Sequence, residues 1–186
     1  NVSLTGVDVS GNRNGVEAYA GSRDAYAFQH LPLNQVTADN ESNDGVSLIA
    51  ATYNGTTLQR ADIDGLQASY EGDTGLYIDN RARGNVAAQY IYVADSTFTY
   101  DRVGVAAYML ANQGYTTTLQ KISIDGSTIA YNGTGVAASN EASNGASTQQ
   151  ILLLQDDDIS HNYGDGLNIY TFASDSSFAA EYLYLH

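Results

Sequence analysis

The chain has no cysteine, no tryptophan and a single proline, and only seven of its 186 residues are lysine or arginine. Without cysteine it can form neither a disulfide scaffold nor a thiolate metal site. Twenty-one acidic residues face the seven basic ones, which gives a formal net charge of -14. Nucleic acids and anionic membranes attract basic surfaces, so this charge argues against both as partners. No apolar run reaches the roughly 18 residues of a membrane-spanning helix, so we expect no membrane insertion.

The start of the chain has neither an initiator methionine nor a signal-peptide pattern. We therefore expect residues 1–186 to form a single segment of a mature or longer chain. The acidic balance and the lack of cysteine suit a protein that is secreted or held at the cell surface. They also suit calcium or neutral glycans as ligands.

A period of about 30 residues runs through the whole sequence. Glycine followed by valine or leucine recurs at intervals of 29 to 31 residues, and its members are Gly15, Gly45, Gly75, Gly104, Gly135 and Gly166. A second column with the same period contains Gln29, Gln59, Gln89, Gln120, Gln150 and, in the sixth place, Glu181. Two independent columns with one period are typical of a solenoid whose repeats stack on each other.

Each repeat contains three apolar segments with the alternation of a β-strand. One follows the glutamine, as in Ile91/Val93, and one follows the glycine, as in Leu76/Ile78. Val2 and Leu4 occupy the first of these slots before the first glutamine. The third segment is shorter and centres on residues such as Phe98. No repeat has a helical stripe, so the pattern predicts an all-β, parallel β-helix of about six rungs with three strands each. Asn- and Gly-containing stretches such as residues 52–57 and 80–85 are expected to form loops of about ten residues.

Two of the segments carry a family resemblance. "STIAYNGTGVAAS" (127–139) and "DDISHNYGDGLNIY" (157–170) resemble the repeats of right-handed, pectin-lyase-like β-helix proteins, including bacterial adhesins, autotransporter-like passengers and polysaccharide lyases. The resemblance covers essentially the whole chain and implies a right-handed β-helix. It does not choose between lyases, hydrolases, epimerases and non-catalytic adhesins.

Two polar columns are expected to be structural. The glutamine column points inward or into a bend, where stacked amides can bond one another along the solenoid. Tyr70, Tyr100, Tyr131 and His161 form an aromatic column at the turn before the glycine, where stacking supplies packing.

One outward face has the composition of a sugar-binding surface. Arg60, Tyr90 and Lys121 fall on three successive rungs, with Asp62 and Tyr92 beside them. Tyrosines stack on pyranose rings, and arginine or lysine pairs with carboxylates. These five residues are the candidate glycan-binding residues, and the ordinary alternative is a solvated sheet face.

No catalytic residue can be assigned from the sequence. A uronate lyase or epimerase needs a cation for the carboxylate and a base, and Lys121, Arg60, Tyr90 or His30 could nominally serve. A hydrolase needs two carboxyl groups, and Asp156, Asp157 and Asp158 form the one acidic run. Asp157 falls at an inward position and is expected to bond turn amides. The accompanying motifs of polygalacturonases and the paired arginines of the lyases are absent.

Calcium is the one cofactor that the acidity suggests. Asp62 with Asp64, or Asp156 with Asp158, could begin a site, although calcium wants six to eight oxygens. No EF-hand loop and no glycine-aspartate nonapeptide run appears in the sequence. Zinc is not expected, because the three histidines are scattered and cysteine is absent.

These observations favour an extracellular structural or adhesive segment of a larger bacterial surface or secreted protein, with a polysaccharide or cell-surface glycan as its ligand. The alternative is a polysaccharide lyase, hydrolase or epimerase of the pectin-lyase-like group. A second alternative is a fibre subunit that stacks head to tail, because neither end of the repeat array has a capping pattern. The expected partners of the end rungs are therefore rungs of a parent chain or further copies.

Overall fold

The computed structural model describes residues 3–186, and these form 18 strands in three parallel sheets stacked as a β-solenoid of about six turns. This confirms the predicted all-β fold with three strands per repeat of about 30 residues. Val2 of the predicted first slot lies outside the described residues, whereas Leu4 pairs with Leu33 of the next rung. Among residues 3–186 there is no helix long and apolar enough to cross a membrane.

The strands are numbered in chain order and grouped by sheet. Sheet 1 consists of β1 (Leu4–Thr5), β3 (Tyr26–Asn34), β6 (Thr56–Asp64), β9 (Val86–Ala94), β12 (Thr117–Asp125), β15 (Ser147–Gln155) and β18 (Phe178–Leu185). Sheet 2 consists of β4 (Thr37–Asp39), β7 (Gln67–Ser69), β10 (Thr97–Thr99), β13 (Thr128–Ala130) and β16 (Asp158–Ser160). Sheet 3 consists of β2 (Val16–Arg23), β5 (Val46–Tyr53), β8 (Thr74–Arg83), β11 (Val103–Ala111), β14 (Thr134–Ala142) and β17 (Leu167–Ala173).

The joins between sheet 3 and sheet 1 are shorter than predicted. Strand β8 ends at Arg83 and β9 begins at Val86, so only Gly84 and Asn85 separate them. Both have a positive φ, of 78° and 62°, which reverses the chain in two residues. The six joins contain two to five residues. The expected ten-residue loops were wrong because the alternation of buried side chains continues through Ala82, before the strand ends.

The apolar columns point into one continuous core. The largest fully buried side chains include Phe98 of sheet 2, Leu76 and Ile78 of sheet 3, and Ile63 and Ile122 of sheet 1. A single rung could not bury these residues, so each rung depends on its neighbours for its stability.

The glutamine column is buried and hydrogen-bonded along the solenoid, as the sequence predicted. Gln59 Nε2 donates to Gln29 Oε1 at 2.7 Å, Gln89 Nε2 to Gln59 Oε1 at 2.6 Å, and Gln120 Nε2 to Gln89 Oε1 at 2.8 Å. Gln150 continues the series onto Gln120. Each carboxamide thus satisfies the next, which allows a polar ladder in an apolar core.

The glycine column is explained by the approach of the next rung. A Cβ atom on Gly75 would lie 2.8 Å from the carbonyl oxygen of Gly104 and 3.0 Å from Cδ1 of Phe98. A Cβ atom on Gly45 would likewise lie 2.8 Å from the carbonyl oxygen of Gly75. The 30-residue period of glycine therefore reflects steric contact between rungs.

The aromatic column lies at the edge of sheet 2. Tyr70, Tyr100 and Tyr131 stack with ring centroids 4.7 and 5.3 Å apart, and His161 lies 5.1 Å beyond Tyr131. All four have a φ between 55° and 65°, which non-glycine residues rarely adopt. Stacking along the solenoid offsets part of that conformational cost, which supports the packing role predicted for this column.

A column of acid and amide side chains follows the aromatic column and caps backbone amides of the preceding rung. Asn132 Oδ1 accepts from the Asp101 N–H at 2.9 Å, Asp101 Oδ1 from the Glu71 N–H at 2.8 Å, and Glu71 Oε2 from the Glu41 N–H at 2.8 Å. Amides and acids share this role because both supply an acceptor oxygen.

The other terminal atom distinguishes the amides from the acids in this column. Asn132 Nδ2 donates to the Phe98 carbonyl at 3.0 Å. The equivalent atoms of the acids, Asp101 Oδ2, Glu71 Oε1 and Glu41 Oε1, are buried and have no hydrogen-bond partner. Burial, reinforced by the neighbouring carboxyl groups, raises the pKa of both Asp101 and Glu71 to about 8.

Candidate functional site

The candidate glycan-binding residues lie together on the outer face of sheet 1. In-register pairing places Arg60 beside Tyr90, Tyr90 beside Lys121, and Asp62 beside Tyr92. The alternation of each strand points these side chains away from the core, because Ala61, Ile63, Ile91 and Val93 point into it. The structure thus places the five predicted residues on one surface.

This surface contains an open groove with a volume of about 590 Å³, which we call the sheet 1 groove. It is lined by Phe28, Leu58, Arg60, Asp62, Tyr90, Ile91, Tyr92, Lys121 and Ser123. The two tyrosines are 39% and 44% exposed, so parts of their rings are open to a ligand. The groove combines an apolar floor with a few polar groups, which is the usual character of a small-molecule site.

Four of the nine lining residues, Phe28, Leu58, Ile91 and Ser123, were not among the five predicted ones. Phe28 and Leu58 occupy neighbouring positions on β3 and β6, two residues before His30 and Arg60 on the same face. Extending the alternation one step towards the start of each strand would have found them. The Asn and Gly content before each strand predicted loops at these positions instead.

Arg60 and His30 converge on the carboxylate of Asp62. Arg60 Nε lies 3.1 Å from each Asp62 oxygen, and Arg60 Nη2 lies 3.0 Å from Oδ1. His30 Nε2 lies 2.8 Å from Asp62 Oδ2. Burial raises the pKa of Asp62, but the hydrogen bonds from Arg60 and His30 outweigh it and hold the pKa below its ordinary value.

These contacts change the chemistry expected of the groove. Because Arg60 is already paired with Asp62, it does not present an unpaired cation to a ligand carboxylate. Lys121 takes part in no ion pair within residues 3–186. The groove therefore offers a ligand one unpaired cation instead of the two that the sequence predicted, together with several hydroxyl-bonding groups. Less of its binding is thus expected to depend on a ligand carboxylate.

The acidic run at 156–158 lies at a turn, where the Asp157 side chain is hydrogen-bonded to backbone amides. Asp157 Oδ1 accepts from the Ser127 N–H at 2.8 Å and Oδ2 from the Gln155 N–H at 3.1 Å. This confirms that Asp157 bonds turn amides. Asp156, with φ 53°, belongs to the same turn, and Asp158 begins β16.

The weak calcium candidates lie apart from any larger ligand cluster. Within residues 3–186 no three or more acidic or histidine side chains are grouped so that they could hold a metal ion. The oxygens of Asp62 are engaged by Arg60 and His30, and Asp64 adds only one further carboxylate on the same strand. Within the described residues neither Asp62/Asp64 nor Asp156/Asp158 is joined by a third acidic or histidine side chain, and both pairs stay predictions.

Comparisons with known proteins give no independent assignment: the chain matches no protein-family model, and neither curated proteins nor solved structures yielded a match. Its functional interpretation therefore depends on the chemistry of its own surfaces.

Proposed function

We propose that this chain is a carbohydrate-binding β-solenoid with a structural or adhesive role, and that it binds a neutral glycan in the sheet 1 groove. The observation that carries the proposal is the pairing of Tyr90 and Tyr92 with the Arg60–Asp62 ion pair in one open groove. Sugars present apolar C–H faces and a rim of hydroxyl groups. The groove offers aromatic rings for the former and donors and acceptors for the latter.

The solenoid favours a long ligand over a short one. Neighbouring rungs of sheet 1 lie about 4.8 Å apart, so the groove crosses successive strands in a regular series. A polysaccharide can extend along such a series, with each sugar adding contacts. The resemblance to pectin-lyase-like adhesins agrees with an extracellular location and with part of a larger surface or secreted protein.

Removal of both tyrosines should abolish most of this binding. We expect Tyr90→Ala/Tyr92→Ala to weaken the affinity for neutral oligosaccharides roughly tenfold or more, because truncation of central aromatic contacts costs over 1 kcal/mol. Isothermal titration calorimetry against xylo-, gluco-, manno- and galacto-oligosaccharides measures the change. Tyr182→Ala/Tyr184→Ala is the matched control, since these tyrosines occupy the same columns outside the groove.

The same experiment separates binding from catalysis. Chromatography of the oligosaccharides after incubation should show unchanged chain lengths. Equal loss of affinity in both tyrosine pairs, or no affinity of the unmodified protein for any of the sugars, would contradict the proposal. Shortened products would instead favour the polysaccharide-processing alternative.

A second candidate function is head-to-tail assembly, in which a rung of another copy packs on the last rung in the place that a further rung of a longer chain would take. Leu183 and Leu185 occupy core columns of sheet 1, yet they are 40% and 62% exposed. Unpaired strand edges with apolar side chains promote association. We expect Leu183→Lys/Leu185→Lys to reduce any concentration-dependent increase in sedimentation coefficient. A constant monomer coefficient for the unmodified protein at all concentrations would contradict this candidate.

A further inference from the structure

Three of the seven basic residues gather at the end of sheet 3, and none of them lines the sheet 1 groove. Arg23, Tyr53 and Arg83 occupy one column on the successive strands β2, β5 and β8. Arg81 lies two residues before Arg83 on the same face. In a chain with a net charge of -14, such a concentration of arginine is unexpected for an ordinary solvated surface.

The three arginines surround a pocket with a volume of about 470 Å³. Its floor is formed by small residues, since Gly21 and Ala51 occupy the column of Arg81. No carboxylate lines it: the remaining lining residues are Tyr19, Ser22, Arg23, Thr52, Tyr53 and Arg83. The small floor leaves space for a ligand group between the guanidinium groups.

Two neighbouring side chains hold two of the three arginines in place. Arg81 Nη2 lies 2.7 Å from Oδ2 of Asp79, whose side chain is only 4% exposed, while Arg81 itself is 60% exposed. The guanidinium carbon of Arg23 lies 5.5 Å from the ring centroid of Tyr53, within the range of a cation–π interaction. Such preorganisation reduces the entropy cost of ligand binding.

The charge balance leaves two cations for a ligand. Asp79 neutralises one arginine, and neither Arg23 nor Arg83 takes part in an ion pair within the described part of the chain. Asp24 follows Arg23 in the sequence but does not line the pocket. Guanidinium groups bind oxyanions through paired N–H donors. Arg23 and Arg83 supply the charge, and Arg81, which is 60% exposed and contacts Asp79 through Nη2, adds further N–H donors.

We infer that this pocket binds a tetrahedral oxyanion ester, a phosphate or sulfate group carried on a sugar. The anionic group lies between Arg23, Arg81 and Arg83, and the sugar contacts Tyr19 and Tyr53. This site is separate from the sheet 1 groove in both position and charge. It gives the solenoid a second ligand chemistry on a different face.

Binding of small, singly substituted sugars tests this inference without the avidity of a polyanion. We expect glucose 6-phosphate or glucose 6-sulfate to bind the unmodified protein at low ionic strength, and glucose and glucuronate to bind at least roughly tenfold more weakly. The ester that binds with the higher affinity shows whether the pocket prefers a phosphate or a sulfate group. Nuclear magnetic resonance titration of the protein gives the affinities and shows whether residues around Tyr53 shift.

Two double variants that remove the same charge distinguish binding in the pocket from a general effect of the protein's net charge. Arg23→Gln/Arg83→Gln should weaken ester binding on the order of tenfold or more, whereas Arg13→Gln/Arg102→Gln should leave it within about twofold. Circular dichroism confirms that both variants remain folded. Equal weakening in the two variants, equal binding of glucuronate, or no binding of either ester would overturn the inference. None of these results depends on the neutral-glycan proposal for the sheet 1 groove.

Discussion

Replacement of Gly75 by alanine is expected to lower the free energy of unfolding by about 3 kcal/mol or more, the upper part of the range for overpacked sites. The new methyl group would lie 2.8 Å from the Gly104 carbonyl oxygen, 3.0 Å from Phe98 Cδ1 and 2.6 Å from Asp101 Oδ2. The first of these is backbone of the next rung and cannot move without displacing the ladder. Thermal unfolding should show a midpoint lower by roughly 6–12 °C.

Gly166→Ala is the matched control because Gly166 belongs to the same column on the last rung. A Cβ atom there would contact only Ile159 Cγ2, at an ordinary 3.8 Å. We expect its unfolding midpoint to change little. Equal losses at Gly75 and Gly166 would show that glycine is required for local backbone reasons, and the steric account of the period would be wrong.

The protein is also expected to be more stable at about pH 5 than at about pH 9, by a few kcal/mol. Glu71 and Asp101 have a pKa raised to about 8 in the folded protein, against ordinary values of 4.5 and 3.8. Between about pH 4 and pH 8 the two carboxyl groups keep their protons in the folded state, whereas the unfolded chain has released them. Stability therefore falls as pH rises from about 4 to about 8, opposite to the behaviour of salt-bridged carboxylates.

The charged groups around this pair reinforce the effect. Burial is the largest cause at Glu71, and the charges of Asp101, Glu41 and Asp39 raise its pKa further. Asp44 contributes in the same direction, since burial and the charge of Asp73 raise its pKa to about 6.

Glu181 adds a carboxyl at an amide position of the glutamine column. Gln150 Oε1 and Glu181 Oε1 are both buried without a partner, whereas the Oε1 of each earlier glutamine accepts an N–H from the glutamine of the following rung. Burial raises the pKa of Glu181, although a hydrogen bond from Thr171 lowers it. A proton on Glu181 would restore the missing donor.

Amide substitution of Glu71 and Asp101 tests whether these two carboxyl groups cause the pH dependence of stability. Glu71→Gln/Asp101→Asn supplies side-chain N–H groups that can donate to a carbonyl group of the preceding rung, as Asn132 Nδ2 does to the Phe98 carbonyl, without a change in size. Urea unfolding from pH 5 to pH 9 should then show a much flatter stability profile and higher stability at the alkaline end. The exposed Asp64→Asn is the control and should preserve the original slope. An unchanged slope in the double variant would contradict the assignment.

Sequence reasoning succeeded where a residue's role depends on its position in the repeat. The columns of Gly75, Gln89 and Tyr100 recur every 30 residues or so, and in-register stacking turned each column into a line of contacts. The same periodicity brought Arg60, Tyr90 and Lys121 together. The sequence prediction was wrong at the joins between sheet 3 and sheet 1, where the Asn and Gly content suggested long loops. Each strand there continues to a short turn.

The repeat pattern is enough to predict the fold, because apolar and glycine columns repeated along the chain have few ways to be buried other than stacking. The chemistry of the surfaces depends on the folded arrangement, because protonation and ion pairing involve atoms contributed by other rungs. Only the structure showed that Asp62 engages Arg60 and His30, and that Arg23 and Arg83 flank Tyr53. Likewise, an acid and an amide are interchangeable as acceptors in a repeat. Burial of the second oxygen raises the pKa of the acid, as it does for Glu71 and Asp101.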